Sequence, residues 1–488
     1  MRYKYYTSIC LSGFGLLLTN LTLASPMLAV GSFFTDTTTY PLIARSEGHG
    51  KAWSYATNKD SLPFPCGGKE GEFIASSCSG SHCIAVGNYS NPGKFYYPLI
   101  AFSKDSGSTW SYVGDRDSLP LPNGTTSAYL SSSSCEGLNC VVVGGYNLAK
   151  DYNPLILHSN DGGATWARND DYPSIELNDY AGRFSSVSCS GLVCVAVGDS
   201  DAVPLIANSQ DGGATWTLRF HKNNPSTKLP DDFEGGSFNS VSCSGLACVA
   251  VGTYGQRAGG SFGRPLAATS DDGGSTWIFS IDSSTPALPV DSAVTILKDA
   301  SCSGLKCVAA GFYLHNMGSS PLLAQSQDGG KSWVYAVKQD VPTFPANFKS
   351  GGFDSVSCSG NTCIAAGNYE DQTDGYPLVA ASKDGGVTWE YTLNNSKPAL
   401  PRGAMTSNLV KASCSGLDCI AAGKYSTGEA YFPLLARSND GGQTWVYAIN
   451  GKKPALPSKG RGGQFSGAYG DSSPGLSEYL QKLMTYKK

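Results

Sequence analysis

Residues 438–447 read SNDGGQTWVY. The same phrase recurs as SEGHGKAW (46–53), SKDSGSTW (103–110), SNDGGATW (159–166), SQDGGATW (209–216), SDDGGSTW (270–277), SQDGGKSW (326–333) and SKDGGVTW (382–389). Every tryptophan of the chain closes one copy: Trp53, Trp110, Trp166, Trp216, Trp277, Trp333, Trp389 and Trp445. Their spacings are 57, 56, 50, 61, 56, 56 and 56 residues. A fixed period of this size marks a repeat architecture, in which each unit buries its apolar faces against its neighbours.

Reading outward from the phrase gives one unit. It runs F-x-S-V-S-C-S-G-x-x-C-[IV]-A-[AV]-G-x-Y, a variable loop, P-L-[IL]-A-x-S-x-D-G-G-x-T-W-x-Y, then a variable stretch usually carrying Leu-Pro. This predicts four short strands, A to D. Strand A ends at the first cysteine, and B is the CVAVG segment. Strand C begins at the proline, where no ladder donor is lost. Strand D is the TWVY segment. Glycine, asparagine, aspartate and serine fill the turns, as turn geometry demands. Four antiparallel strands every 56 residues or so is the pattern of a β-propeller blade.

Fourteen of the sixteen cysteines fall into seven C-x4-C pairs: Cys78 with Cys83, Cys135 with Cys140, Cys189 with Cys194, Cys243 with Cys248, Cys302 with Cys307, Cys358 with Cys363, and Cys414 with Cys419. Each pair brackets a Ser-Gly or Glu-Gly turn, so its cysteines stand opposite each other on A and B, near disulfide reach. Metal binding is the weaker reading. A pair offers two thiolates where zinc takes four ligands, and the five histidines follow no repeat. No metal or cofactor is expected. Cys10 falls in the N-terminal leader, and Cys66 is an odd thiol, free or paired between molecules.

The S-x-D-x-G-x-T-W phrase resembles the Asp box of the BNR family, known from sialidases, some xyloglucanases, sortilin-type receptors and photosystem assembly propellers. Copies two to eight match closely. The first has Gly48 in place of the aspartate. The resemblance implies that the box is a structural C–D turn away from the active face. The residue chemistry agrees: Asp105, Asp161, Asp211, Asp272, Asp328, Asp384 and Asp440 can accept backbone N–H bonds of their own turns, and each tryptophan supplies apolar area.

The ends of the chain predict how the ring closes. Met27-Leu28-Ala29-Val30-Gly31 aligns with C-I-A-V-G, so the first unit starts on strand B. GGQFSGAYGDS (462–472) aligns with GGSFNSVSCSG (235–245), a strand A left over at the C-terminus. The expected fold is all-β: one eight-bladed propeller whose C-terminal strand completes the first blade and removes a sheet edge. Seven blades is the alternative. The expected division is a signal peptide over 1–24, a propeller over 25–473 and a tail over 474–488.

The signal peptide rests on Arg2 and Lys4, the apolar run from about Ile9 to Leu18, and Thr22 and Ala24 at the cleavage site. No other run is long enough to span a membrane. With the cysteine pairs this points to a secreted or periplasmic protein without a transmembrane anchor after cleavage. Charged residues make up 15% and the net charge is −4, which gives no basic surface for nucleic acid. The chain is read as a monomer.

Function is sought in the B–C and D–A loops, the variable ones. An aromatic follows strand B in seven units: Phe33, Tyr89, Tyr146, Tyr254, Tyr313, Tyr369 and Tyr425. Stacking on sugars is one role for them, and packing between blades, favoured by their periodicity, is the other. Unit four has the shortest B–C loop, GDSDAVP (198–204), beside the longest, GTYGQRAGGSFGRP (252–265). This predicts a notch where Asp170, Asp171, Glu176, Asp179, Asp199, Asp201 and Tyr254 are the candidate ligand-binding residues. A solvated acidic rim is the plainer reading. No Arg-Ile-Pro segment or recognisable arginine triad of the sialidases occurs, and no nucleophile, phosphate or dinucleotide motif either. No catalytic residue is assigned. The expectation is a non-catalytic propeller that binds a glycan or a protein. The alternatives are a diverged sialidase-like hydrolase and an assembly factor of an envelope or secreted complex.

Overall fold

The computed structural model describes residues 26–470, except 48–49, 57–67, 91–94, 114–117, 149–150, 169–181, 221–228, 231–232, 256–262, 283–285, 290, 317, 338–341 and 395–397. The leader with Cys10, the residue Cys66 and the tail lie outside the described residues. The described chain is all-β and forms eight four-stranded antiparallel blades. Blade 2 shows the plan. Strand A is Glu70–Ser79, B is His82–Ser90, C is Tyr96–Ser103 and D is Ser111–Tyr112, hydrogen-bonded in that order. A single parallel pairing, Gly375 with Thr406, links blades 7 and 8.

Strands A are the inner ones. They run Gly462–Gly470 in blade 1, then Glu70–Ser79, Thr125–Glu136, Gly182–Ser190, Gly235–Ser244, Val294–Ser303, Ser350–Ser359 and Thr406–Ser415. Each packs against the A strands on either side, and Gly462–Gly470 touches both Thr406–Ser415 and Glu70–Ser79, so the ring is closed. In blade 1 the C-terminal strand pairs with Met27–Phe34, with Met27 opposite Gly470. That is the register of each cysteine pair, for example Cys78 opposite Cys83.

Every blade is sandwiched between two others, so strands B and C bury both faces and read as continuous apolar runs. Ile84, Val86 and Ile100 pack toward blade 3, while Phe73, Tyr89 and Leu99 pack toward blade 1. Polar rungs join the inner strands. The serine before each A-strand cysteine accepts the N–H of the next blade's cysteine: Ser77 from Cys135 at 2.9 Å, Ser242 from Cys302 at 2.9 Å, Ser357 from Cys414 at 2.9 Å. The last rung survives without a cysteine, Gly470 N–H donating to Ser413 Oγ at 2.7 Å. A second rung, three residues before the cysteine, changes chemistry in blade 6, where Asp299 stands for the serine of blades 3, 4, 5 and 7. Its carboxylate accepts from Ser240, Ser355 and Lys411 at 2.7, 2.7 and 3.0 Å.

The glycine of CVAVG has a steric cause. Each A strand carries a β-bulge, in blade 5 between Phe238 and Ser240, which turns a carbonyl toward strand B. A Cβ on Gly252 would lie 2.0 Å from the Ser237 carbonyl oxygen. The equivalent glycine of each blade meets the same obstacle, so no side chain fits there.

Candidate functional site

The two ends of the blades differ. The A–B and C–D turns share one end, because a C–D turn N–H donates to an A–B turn carbonyl of its own blade, as Gly273 to Leu246 at 3.0 Å. Blade 5 shows the C–D turn in full. Asp272 Oδ1 accepts from Ser270 Oγ at 2.8 Å and from the N–H groups of Ser275 and Thr276, both at 2.9 Å. Asp272 Oδ2 accepts the Thr276 hydroxyl at 2.7 Å, and Trp277 Nε1 donates to the Gly274 carbonyl at 2.9 Å. Burial alone would raise this carboxyl, but the bonds from Thr276, Ser270 and Ser275 outweigh it and hold the group below the usual range. Gly274, at φ +84°, sits against Val195 of blade 4. These turns therefore dock each blade on the one before it. The seven C-x4-C pairs are disulfides whose Cα atoms lie 4.0 or 4.1 Å apart.

The B–C and D–A connections lie at the other end. Of the notch residues expected from sequence, Asp170, Asp171, Glu176 and Asp179 lie outside the described residues. Asp199 and Tyr254 line a cavity of about 480 Å³ between blades 4 and 5, with Arg183, Ala202, Gly236 and Thr253. Arg183 Nε lies 3.1 Å from Asp199 Oδ1, directly across the A–B ladder. Asp201 does not line that cavity. It forms, with Ala202, a two-residue turn at φ +49° and +59°, the primed geometry that glycine and asparagine usually occupy. The Tyr254 side chain is 1% exposed and stacks on Phe233 at 5.6 Å.

Tyr254 behaves as its repeat mates do. Phe33, Tyr89, Tyr313, Tyr369 and Tyr425 are buried, and Tyr146 is half-buried. Several stack on the aromatic that precedes the strand-C proline, Phe33 on Tyr40 at 5.3 Å and Tyr425 on Phe432 at 5.4 Å. This ring is packing, and its faces are not free for a ligand.

Sequence reasoning missed the residues one position earlier. Tyr96, Tyr152 and Tyr431 stand two residues before the strand-C proline in blades 2, 3 and 8. With Phe95 they are the exposed aromatics among the described residues, at 49–58%. The same position holds Thr39 in blade 1 and Ala202, Gly263, Ser319 and Gly375 in blades 4 to 7. This position is thus aromatic on blades 8, 2 and 3 and small on blades 1 and 4 to 7.

Within the aromatic half a second cavity, about 360 Å³, spans blades 8, 1 and 2. Tyr431 and Tyr96 stand on either side of Thr39 in its lining, joined by Glu70, Glu72, Asn88 and Gln464. Burial pushes the Glu72 carboxyl up, and the Lys424 charge pulls it part of the way back. Lys424 Nζ sits 4.5 Å from the Tyr431 ring centroid and donates to Gln464 Oε1 at 2.9 Å.

No family model matches the chain, and no curated protein matches it. Solved structures do. A YCF48 bound to a D1 peptide is 17% identical over 78% of this chain and 95% of that one, with a TM-score of 0.42. YCF48 from Cyanidioschyzon merolae is 15% identical over 67% and 86%, at 0.38. The GH74 enzyme of Niastella koreensis is 14% identical over 84% and 68%, at 0.31.

Proposed function

We propose that this protein is an exported, monomeric binding propeller that holds a glycan or a protein ligand on its B–C/D–A end without catalysing a reaction. The observation that carries this reading is the gathering of Phe95, Tyr96, Tyr152 and Tyr431 on blades 8, 2 and 3. Tyr96 and Tyr431 line one cavity, and exposed aromatics are costly to leave in water and are enriched on recognition surfaces. The rigid ring behind them keeps the patch preorganised, which limits the ordering cost of binding. The cavity between blades 4 and 5, lined by Asp199 and Arg183, is a second contact for a long ligand. Export is supported by the leader sequence and by seven disulfides, which persist in oxidising compartments.

The test is a glycan array and a pull-down with the oxidised protein, each repeated with Tyr152→Ala. A ligand captured by the native protein and lost by the variant supports the reading. A ligand held equally by both, or glycan turnover lost on substituting the notch acids, overturns it.

A further inference from the structure

The cavity between Tyr431 and Tyr96 has a chemistry of its own. Its walls come from a broken repeat: blades 8 and 2 supply tyrosine at a position where blade 1 supplies Thr39. The small middle residue turns three neighbouring blade tips into a slot with an aromatic ring on each side. Glu70 and Glu72 stand in its lining at the start of the blade 2 inner strand. Neither carboxylate accepts a hydrogen bond from a described residue, although Glu72 is half-buried. The Glu72 oxygens still reach water and feel the Lys424 charge, so a ligand hydroxyl that displaces that water can donate to them. The opposite group is close by. Lys424 Nζ is a donor group whose three hydrogens find Gln464 Oε1 and the face of Tyr431.

A cationic ligand would satisfy Glu72 and meet Lys424 at the Tyr431 wall. An anionic ligand would satisfy Lys424 and meet Glu70 and Glu72. A hydroxyl both donates and accepts, so adjacent hydroxyls on one ring can donate to Glu72 and accept from Lys424. A saturated ring also offers flat C–H faces to the tyrosines. The cavity volume lies at the small end of the range for ligand sites.

We propose that this slot is a subsite for one neutral pyranose ring, bound through a vicinal pair of hydroxyls between Glu72 and Lys424 and flanked by Tyr96 and Tyr431. The inference rests on the binding reading above and names the ligand chemistry of one part of that face.

The experiment is ligand-observed NMR and titration of the full mature protein. The probes are methyl glucoside, galactoside, mannoside and xyloside, with N-acetyl-lysine methylamide as the cationic control. At least one pyranoside should bind, at least tenfold more weakly to Glu72→Gln and to Tyr96→Ala, and unchanged to Glu390→Gln, an exposed acid on the outer strand of blade 7. Glu72→Gln removes no hydrogen bond within the described residues and only the attraction to Lys424, so its melting temperature should stay close to that of the native protein, and measuring it separates lost binding from unfolding. Pyranoside binding indifferent to both substitutions overturns the subsite. So does binding of the lysine analogue in place of every pyranoside. If no pyranoside binds while a larger ligand still depends on Tyr152, the subsite fails and the binding reading stands. If neither a pyranoside nor any array or pull-down ligand depends on these residues, both fail.

Discussion

Blade 1 is assembled from both ends of the chain, and blade 2 from one continuous stretch. They share the inner-strand register, the bulge and the strand-B glycine, but not the serine rung: Gly470 N–H of blade 1 donates to Ser413 as Cys135 N–H of blade 3 donates to Ser77, whereas between blades 1 and 2 Tyr469 holds the serine position and its hydroxyl donates to the Cys78 carbonyl. They differ in the disulfide, absent where the A–B turn is interrupted, and in the C–D turn, where Gly48 replaces the aspartate. Trp53 Nε1 still donates to the Gly50 carbonyl at 2.9 Å. The bulge and the strand-B glycine are therefore the features that every blade keeps. Disulfide and aspartate are reinforcements that a blade can lack.

The largest effect should come from giving blade 1 what it lacks. Met27 and Gly470 face each other in the cysteine register, and a Cβ on Gly470 would find no atom closer than 3.5 Å. Met27→Cys with Gly470→Cys should form a disulfide that closes nearly the whole chain into one loop. The chain-entropy model puts the gain at about 6 kcal/mol for so long a loop. Denaturation of the oxidised against the reduced variant measures it, and no gain would mean that the seam frays before the ring unfolds.

Next in size is the shared glycine. Gly252→Ala pushes a methyl into the Ser237 carbonyl and should cost about 3 kcal/mol or more. Gly80, in an A–B turn at φ +59° with open space around it, should cost about 1 kcal/mol on the same change. Equal losses in melting temperature would show that the bulge is not what demands the strand-B glycine.

Removing a reinforcement should cost less than removing a requirement. Asp272→Ala breaks four hydrogen bonds of an exposed turn and should cost about 2 kcal/mol. The seven equivalent carboxyls share one pH signature. Burial would raise each, and the turn hydrogen bonds outweigh it and lower each. A carboxyl with a depressed folded pKa stabilises fully above its unfolded value of about 3.9, and the contribution is lost as pH falls through the folded value. Thermal stability should fall steeply below about pH 4, and less steeply in Asp272→Ala, which has one such group fewer.

Much of the fold was legible because the tryptophan period, the cysteine pairs and the misplaced strand A each report topology directly. The reason for the CVAVG glycine was not. It depends on a carbonyl across the ladder, and a bulge leaves no mark in a consensus. The exposed aromatics of the proposed site were hidden by adjacency. Phe95-Tyr96-Tyr97 is a run of three aromatics and Tyr431-Phe432 a run of two, and side chains alternate faces along a strand. Tyr97 is 8% exposed and Tyr96 58%. Only the register says which of the two faces water. The acidic notch drew notice because acids are conspicuous in a chain with 15% charge. The slot at the seam drew none, because Thr39 matters by being small between two tyrosines that are distant in sequence.

The smallest expected change in stability separates the two ends of the blades. Leu246 at the A–B turn is 58% exposed and Tyr152 at the loop end 49%, so both present apolar area to water. Leu246 leans on the turn glycine Gly273, its Cδ2 coming within 3.5 Å of where a Cβ would stand, so it caps a structural turn. Tyr152 belongs to the aromatic half of the loop end. Each mutated to alanine should change stability by about 0.5 kcal/mol or less. Their effects on ligand should differ: Tyr152→Ala should weaken binding by about 2 kcal/mol, roughly thirtyfold, and Leu246→Ala should leave it unchanged. The reverse result would move the recognition surface to the repeated end, where eight nearly identical turns would have to discriminate by symmetry rather than by side chain.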